Sequence, residues 1–135
     1  MGRILEARYL NVDFLVEAAF DLSSVVKALR EDVTFLWDET SEQSSSFGIE
    51  SKLINTDTPQ DDILELIRVL ENLPSKQKQL LRDSHKKVFD IGFECGTLDK
   101  PIDAELSLET VQRIAKLGCH INIKLYPLVE HPYED

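Results

Sequence analysis

The chain has 135 residues, of which 42% are hydrophobic and 30% charged, and a net charge of −10. That length is close to the modal size of one domain and buries about two thirds of its unfolded-chain surface, so neither a metal nor a disulfide is needed for folding. The acidic balance argues against a nucleic-acid binder, because phosphate contacts need Lys and Arg.

The charge is unevenly spread. Residues 31–65 hold ten acids (Glu31, Asp32, Asp38, Glu39, Glu42, Glu50, Asp57, Asp61, Asp62 and Glu65) against Lys52, a net −9. Residues 76–87 hold five bases against Asp83, a net +4. An acidic block of this kind suits a basic protein partner, and it also serves solubility. No apolar leader opens the chain and no run of roughly 18 apolar residues occurs, so a cytoplasmic protein is expected. One domain is expected over 1–135, with its core at about 4–127 and a loose tail at 128–135.

In chain order, "RYLNVDFLVEA" alternates. Leu10, Val12, Phe14 and Val16 face one way, while Tyr9, Asn11, Asp13 and Glu17 face the other, with Leu15 as the exception. Period two with one polar side predicts a half-buried strand. "DLSSVVKALR" places the cap formers Asp21, Ser23 and Ser24 before Val25, Val26, Ala28 and Leu29, a short helix. "VTFLW" is a second strand with Val33, Phe35 and Trp37 on one side. "FGIESKLIN" is a third, with Phe47, Ile49 and Leu53 on one side and Gly48, Glu50 and Lys52 on the other. Between them, "DETSEQSSS" has three acids, five hydroxyl residues and no apolar residue, and reads as a mobile hairpin tip over 38–46.

"TPQDDILELIRVLENLP" opens with Thr58 as N-cap, Pro59 at the first helical position and acids in the first turn. Ile63, Leu66, Ile67 and Leu70 keep helical spacing, and Pro74 ends the helix before "KQKQLLRDSHKK" begins a second. "VFDIGFEC" is strand four, with Phe89, Ile91, Phe93 and Cys95 opposite Asp90 and Glu94. Ser107 caps "LETVQRIAKLG", which Gly118 ends. The last strand, "CHINIKLY", sets Cys119, Ile121, Ile123 and Leu125 opposite His120, Asn122, Lys124 and Tyr126.

The first six elements follow the order of a split, ferredoxin-like β-α-β-β-α-β unit, and a C-terminal helix and strand extend it. Right-handed crossovers then give an α+β fold: a single, mostly antiparallel five-stranded sheet in the order 5-4-1-3-2, with helices on one face. The other face stays open.

Little catalytic chemistry is on offer. The five glycines are scattered, so no phosphate cradle is expected. Cys95 and Cys119 sit on apolar strand faces and read as buried thiols. Cys119 and His120 are neighbours on opposite faces, so one metal ion cannot take both, and a Cys–His nucleophile is not expected either. Asp13, Asp90 and Glu94 share the open face, where a pair could serve as acid and base. Polar-out alternation is nonetheless ordinary for an antiparallel sheet. The reading is therefore no catalytic residue, no metal, no cofactor and no enzyme. RNA recognition also fails, because the central strands offer Tyr9 and acids where aromatic residues among bases are needed.

What remains is a surface for a protein partner. Its candidate residues on the open face are Tyr9, Asn11, Asp13, Glu50, Asp90, Glu94, His120, Asn122 and Tyr126, joined by Glu39, Glu42 and Asp62 from the acidic block. Tyrosine supplies contact area with a hydrogen-bonding tip. An exposed edge strand leaves room for a homodimer. The alternative is a small-molecule-binding or regulatory domain.

Three stretches together resemble a family of bacterial domains of unknown function: "FDLSSVVKALREDVTFLWDE", "FGIES", in which Phe47 stands for a Trp of the family, and "LSLETVQRIAKLGCHINIKLYP". The resemblance covers about residues 7–127 and rests on caps, turns and core positions. It brings no catalytic residue with it. Some members resemble immunity proteins of toxin systems, which implies an acidic surface for a basic toxin. Members have Gly and basic residues where this chain has "DETSEQSSS".

Overall fold

The alternating stretch at the start becomes β1 (Arg8–Ala18), the central strand of the sheet. The computed structural model describes residues 6–54, 56–97 and 100–127, so the expected tail at 128–135 lies outside the described residues. After β1 come α1 (Ser23–Leu29), β2 (Val33–Thr40), β3 (Ser45–Ser51), α2 (Pro59–Glu71), α3 (Ser75–Arg82), β4 (Lys86–Glu94), α4 (Leu108–Lys116) and β5 (His120–Tyr126). The fold is α+β. One five-stranded sheet runs in the order β2-β3-β1-β4-β5, which is the order that right-handed crossovers predict. Pairs β2–β3, β3–β1 and β1–β4 are antiparallel, and β4–β5 is parallel.

Local chemistry sets the helix ends. The Thr58 side chain accepts from the Asp61 N–H, Pro59 needs no partner for a missing N–H, and Asp61 and Asp62 lie at the positive end of α2. The Ser107 hydroxyl caps α4 through the Thr110 N–H, and Gly118 takes φ 71° just beyond its end. Ile63, Leu66, Ile67 and Leu70 of α2 are no more than 1% exposed, each such burial stabilising by about 1.5–3 kcal/mol. They share one cluster with Val12, Phe14, Val16 and Ala18 of β1, Phe47 and Ile49 of β3, Phe89 and Ile91 of β4, Val25 and Leu29 of α1, Leu81 of α3 and Ile114 of α4.

Several sequence expectations are corrected. The polar stretch 38–46 is mostly strand: β2 runs to Thr40 and β3 starts at Ser45, so the turn is only 41–44. The Ser41 N–H and hydroxyl both donate to the Ser44 carbonyl, at 2.8 and 3.0 Å. Ser45 is 4% exposed, not at the surface. Its hydroxyl accepts from the Leu22 N–H and donates to the Phe20 carbonyl, both at 2.8 Å, which ties the hairpin to the start of α1. Leu53 lies beyond β3 and is exposed. Cys95 falls one residue after β4 and is exposed, while Cys119 is half-buried beside the core. β5 alternates as expected yet is exposed along its whole length, because α4 buries Thr110 and Ile114 and leaves the strand uncovered.

Candidate functional site

Two bulges decide which side chains reach the open face. Between Tyr9 and Asn11 the β1–β4 register slips, and between Phe35 and Trp37 the β2–β3 register slips. An extra residue in one strand reverses the alternation on one side of it. Tyr9 therefore turns to the helix side, edge-on to Phe93 at 5.9 Å, and its hydroxyl donates to Asp62. Burial and Asp62 push this hydroxyl well above the usual tyrosine range, so it remains a donor. Asp62 is 7% exposed and also accepts from the Thr56 hydroxyl at 2.9 Å. Neither Tyr9 nor Asp62 belongs to the open surface expected of them; together they form an internal polar pair. Helical spacing carries the signal for Asp62, since it lies four residues before Leu66 on the buried side of α2.

Trp37 makes the opposite move. Its ring lies over Gly48 so closely that a Cβ there would sit 2.3 Å from it, and its Nε1 donates to the Ser46 hydroxyl at 3.1 Å. Only glycine at position 48 leaves room for the ring. Register then sets Gly48 beside Leu15, Leu15 beside Val88, and Val88 beside His120. An apolar stripe thus crosses an otherwise polar face, from the indole of Trp37, 38% exposed, to the imidazole of His120. Leu15, the odd apolar residue in the alternation of β1, was the sign of it in the sequence.

An acid row runs alongside. Thr34 pairs with Glu50, Glu50 with Asp13, Asp13 with Asp90, and Asp90 with Asn122. Directly opposed carboxylates repel. Asp90 is 7% exposed and well served: Asn122 donates to it at 2.6 Å and Lys124 lies 3.3 Å away. Among the described residues Asp13 has the Asn11 amide alone, at 3.2 Å. Burial first, then Glu50 and Asp90, push its carboxyl up to about 6, with Lys124 opposing. The hydrogen bond to Asp90, and that charge, raise the Lys124 ammonium.

Beyond the acids, Asn11 faces Gly92 and the Tyr126 ring lies over the same glycine, where a Cβ would sit 3.3 Å from it. Glu94 is held by Arg8 at 3.2 Å. A depression of about 590 Å³ at the β4–β5 end of the stripe is lined by Leu15, Val88, His85, Lys86, His120 and Lys124, among others. Glu39 and Glu42 sit exposed at the hairpin, away from the acid row. The structure therefore groups Asn11, Asp13, Glu50, Asp90, Glu94, His120, Asn122 and Tyr126 on one face and adds Trp37, Leu15 and Val88.

No family model, curated protein or solved structure matches this chain. The reading of the face therefore rests on its own geometry. Among the described residues no three of His, Cys, Asp and Glu are grouped to hold a metal ion, and no helix is long and apolar enough to cross a membrane.

Proposed function

We propose that this chain is a non-enzymatic binding protein that takes a basic protein partner on its open sheet face. The observation that carries the reading is the apolar stripe of Trp37, Leu15 and Val88 laid directly beside Glu50, Asp13 and Asp90. A tryptophan with a small apolar strip makes a desolvated anchor. Carboxylates at its margin speed encounter with a basic surface and reject acidic ones. The strand order and directions fit a ferredoxin-like unit extended by α4 and β5. With the resemblance to bacterial domains, they favour a cytoplasmic immunity-type protein whose partner is a basic toxin.

A photo-crosslinking side chain placed at Leu15, compared with one at Gln112 on α4, tests this in cells of the source organism. The expected result is a covalent adduct to one basic protein from position 15 only, weakened by Trp37→Ala. Equal adducts from both positions, or none from position 15, would overturn it. The depression with His85, Lys86, His120 and Lys124 favours a second reading, a small anionic ligand. A ligand screen that raises Tm in the wild type, and does so less in His120→Ala, would favour that reading.

A further inference from the structure

β5 ends the sheet, and its outer edge has unusual chemistry for an edge. The Cys95 N–H donates to the Tyr126 carbonyl at 3.0 Å, so the backbone groups of Tyr126 point towards β4. Backbone direction alternates along a strand, which aims the N–H and C=O groups of Ile121, Ile123 and Leu125 outward. The side chains of these same residues continue the core face. Their partners on β4 are Phe89, Ile91 and Phe93, all buried, yet they themselves are 41%, 63% and 64% exposed. Among the described residues nothing pairs with this edge, and a seven-residue strand with outward backbone groups and an exposed apolar row is a template for another strand.

The other edge is guarded. β2 carries the bulge between Phe35 and Trp37 and the adjacent acids Asp38 and Glu39, two devices that block strand addition. β5 has neither. It holds no acid, although the chain has a net charge of −10, and its one lysine is already neutralised by Asp90 at 3.3 Å.

We propose that β5 is the interface for a second copy of this chain, paired antiparallel about a two-fold axis through Ile123. This register sets Ile121 of each copy opposite Leu125 of the other, and Ile123 opposite itself. Every outward N–H and C=O of the three residues then finds a partner, and the two apolar rows lie side by side in contact on one face. On the other face Asn122 meets Lys124 and His120 meets Tyr126, so no like charges are opposed. Shifting the axis one residue towards the C-terminus would place Lys124 against Lys124, and shifting it the other way would leave Leu125 outside the ladder. Self-complementarity about one residue is what a closed two-fold dimer requires. The two sheets become one, and the stripe and acid row of each copy remain uncovered for the partner proposed above.

Sedimentation of the full chain, from low to high micromolar concentration, tests this. The wild type should approach twice the 15.4 kDa chain mass. Ile123→Lys removes two opposed isoleucines and sets two lysines together, and should raise the dissociation constant by about a hundredfold. The same charge at Leu36→Lys on the opposite edge should leave the dimer unchanged. In a Cys95→Ser background, Ile123→Cys should oxidise to a self-linked dimer and Leu36→Cys should not; this pair keeps the test open if Ile123→Lys does not fold. A wild type that stays monomeric overturns the proposal, including the case in which removal of residues 128–135 creates a dimer. Open-ended polymers lost in Leu36→Lys overturn it in favour of β5-to-β2 pairing.

Discussion

Asp13→Asn should make the protein more stable at neutral pH and leave it unchanged in acid. Asp13 lies between Glu50 and Asp90 in the register of the sheet, and its carboxyl is raised from the ordinary 3.8 to about 6. A group whose pKa is higher folded than unfolded stabilises the fold while protonated. That contribution is complete below about pH 4 and is lost as pH rises through about 6. At full strength the rise is equivalent to about 3 kcal/mol, and solvent around a half-buried carboxyl screens it to about 1 kcal/mol. Asparagine has a similar shape, and its side-chain oxygen still accepts from the Asn11 amide. Urea melts of both proteins at about pH 4 and about pH 7.5 isolate this carboxyl, because every other group is common to the pair. The variant should gain about 1 kcal/mol at the higher pH, with the gap closing at the lower. A variant that is less stable at pH 7.5, or a gap independent of pH, would refute the account of the acid row.

Ser45→Ala removes a hydroxyl that serves Leu22 and Phe20 in a buried site, and should cost about 1–3 kcal/mol in urea melts; a loss within error would mean that water replaces the clamp. With a thiol reagent, native Cys95 should label fast. Cys119 should label slowly, since burial raises its thiol to about 11, only partly offset by Lys87. Mass spectrometry of labelled peptides distinguishes the two, and equal rates would count against the half-buried placement of Cys119.

The sequence makes most of the frame legible and misplaces the residues that decide the face. Alternation marks β1 from Arg8 to Ala18, and the caps at Thr58 and Ser107 mark two helices. Alternation also assigns Tyr9 and Trp37 to faces, and both assignments invert. The cause is a register slip against the neighbouring strand, and a slip belongs to the pair of strands rather than to either sequence. Polar composition likewise hides Ser45, whose role depends on two carbonyl and amide groups more than twenty residues away in sequence. β5 has a half-buried strand's pattern and none of its burial, because periodicity gives the face of a residue and says nothing about what covers it.

β1 lies in the middle of the sheet and is made before both of its neighbours there, and this bears on synthesis. Both neighbours of β1 lie later in the chain, and Arg8 meets Glu94 across 86 residues. At about 5–20 residues per second, the ribosome needs roughly 4–17 s to deliver that partner. Through that interval Val12, Phe14 and Val16, at most 2% exposed in the finished fold, have at best the β2–β3 hairpin on one side of β1 and no β4 on the other. β1 therefore keeps one side open while α2 and α3 are made, and slowed translation of that stretch would lengthen the exposure.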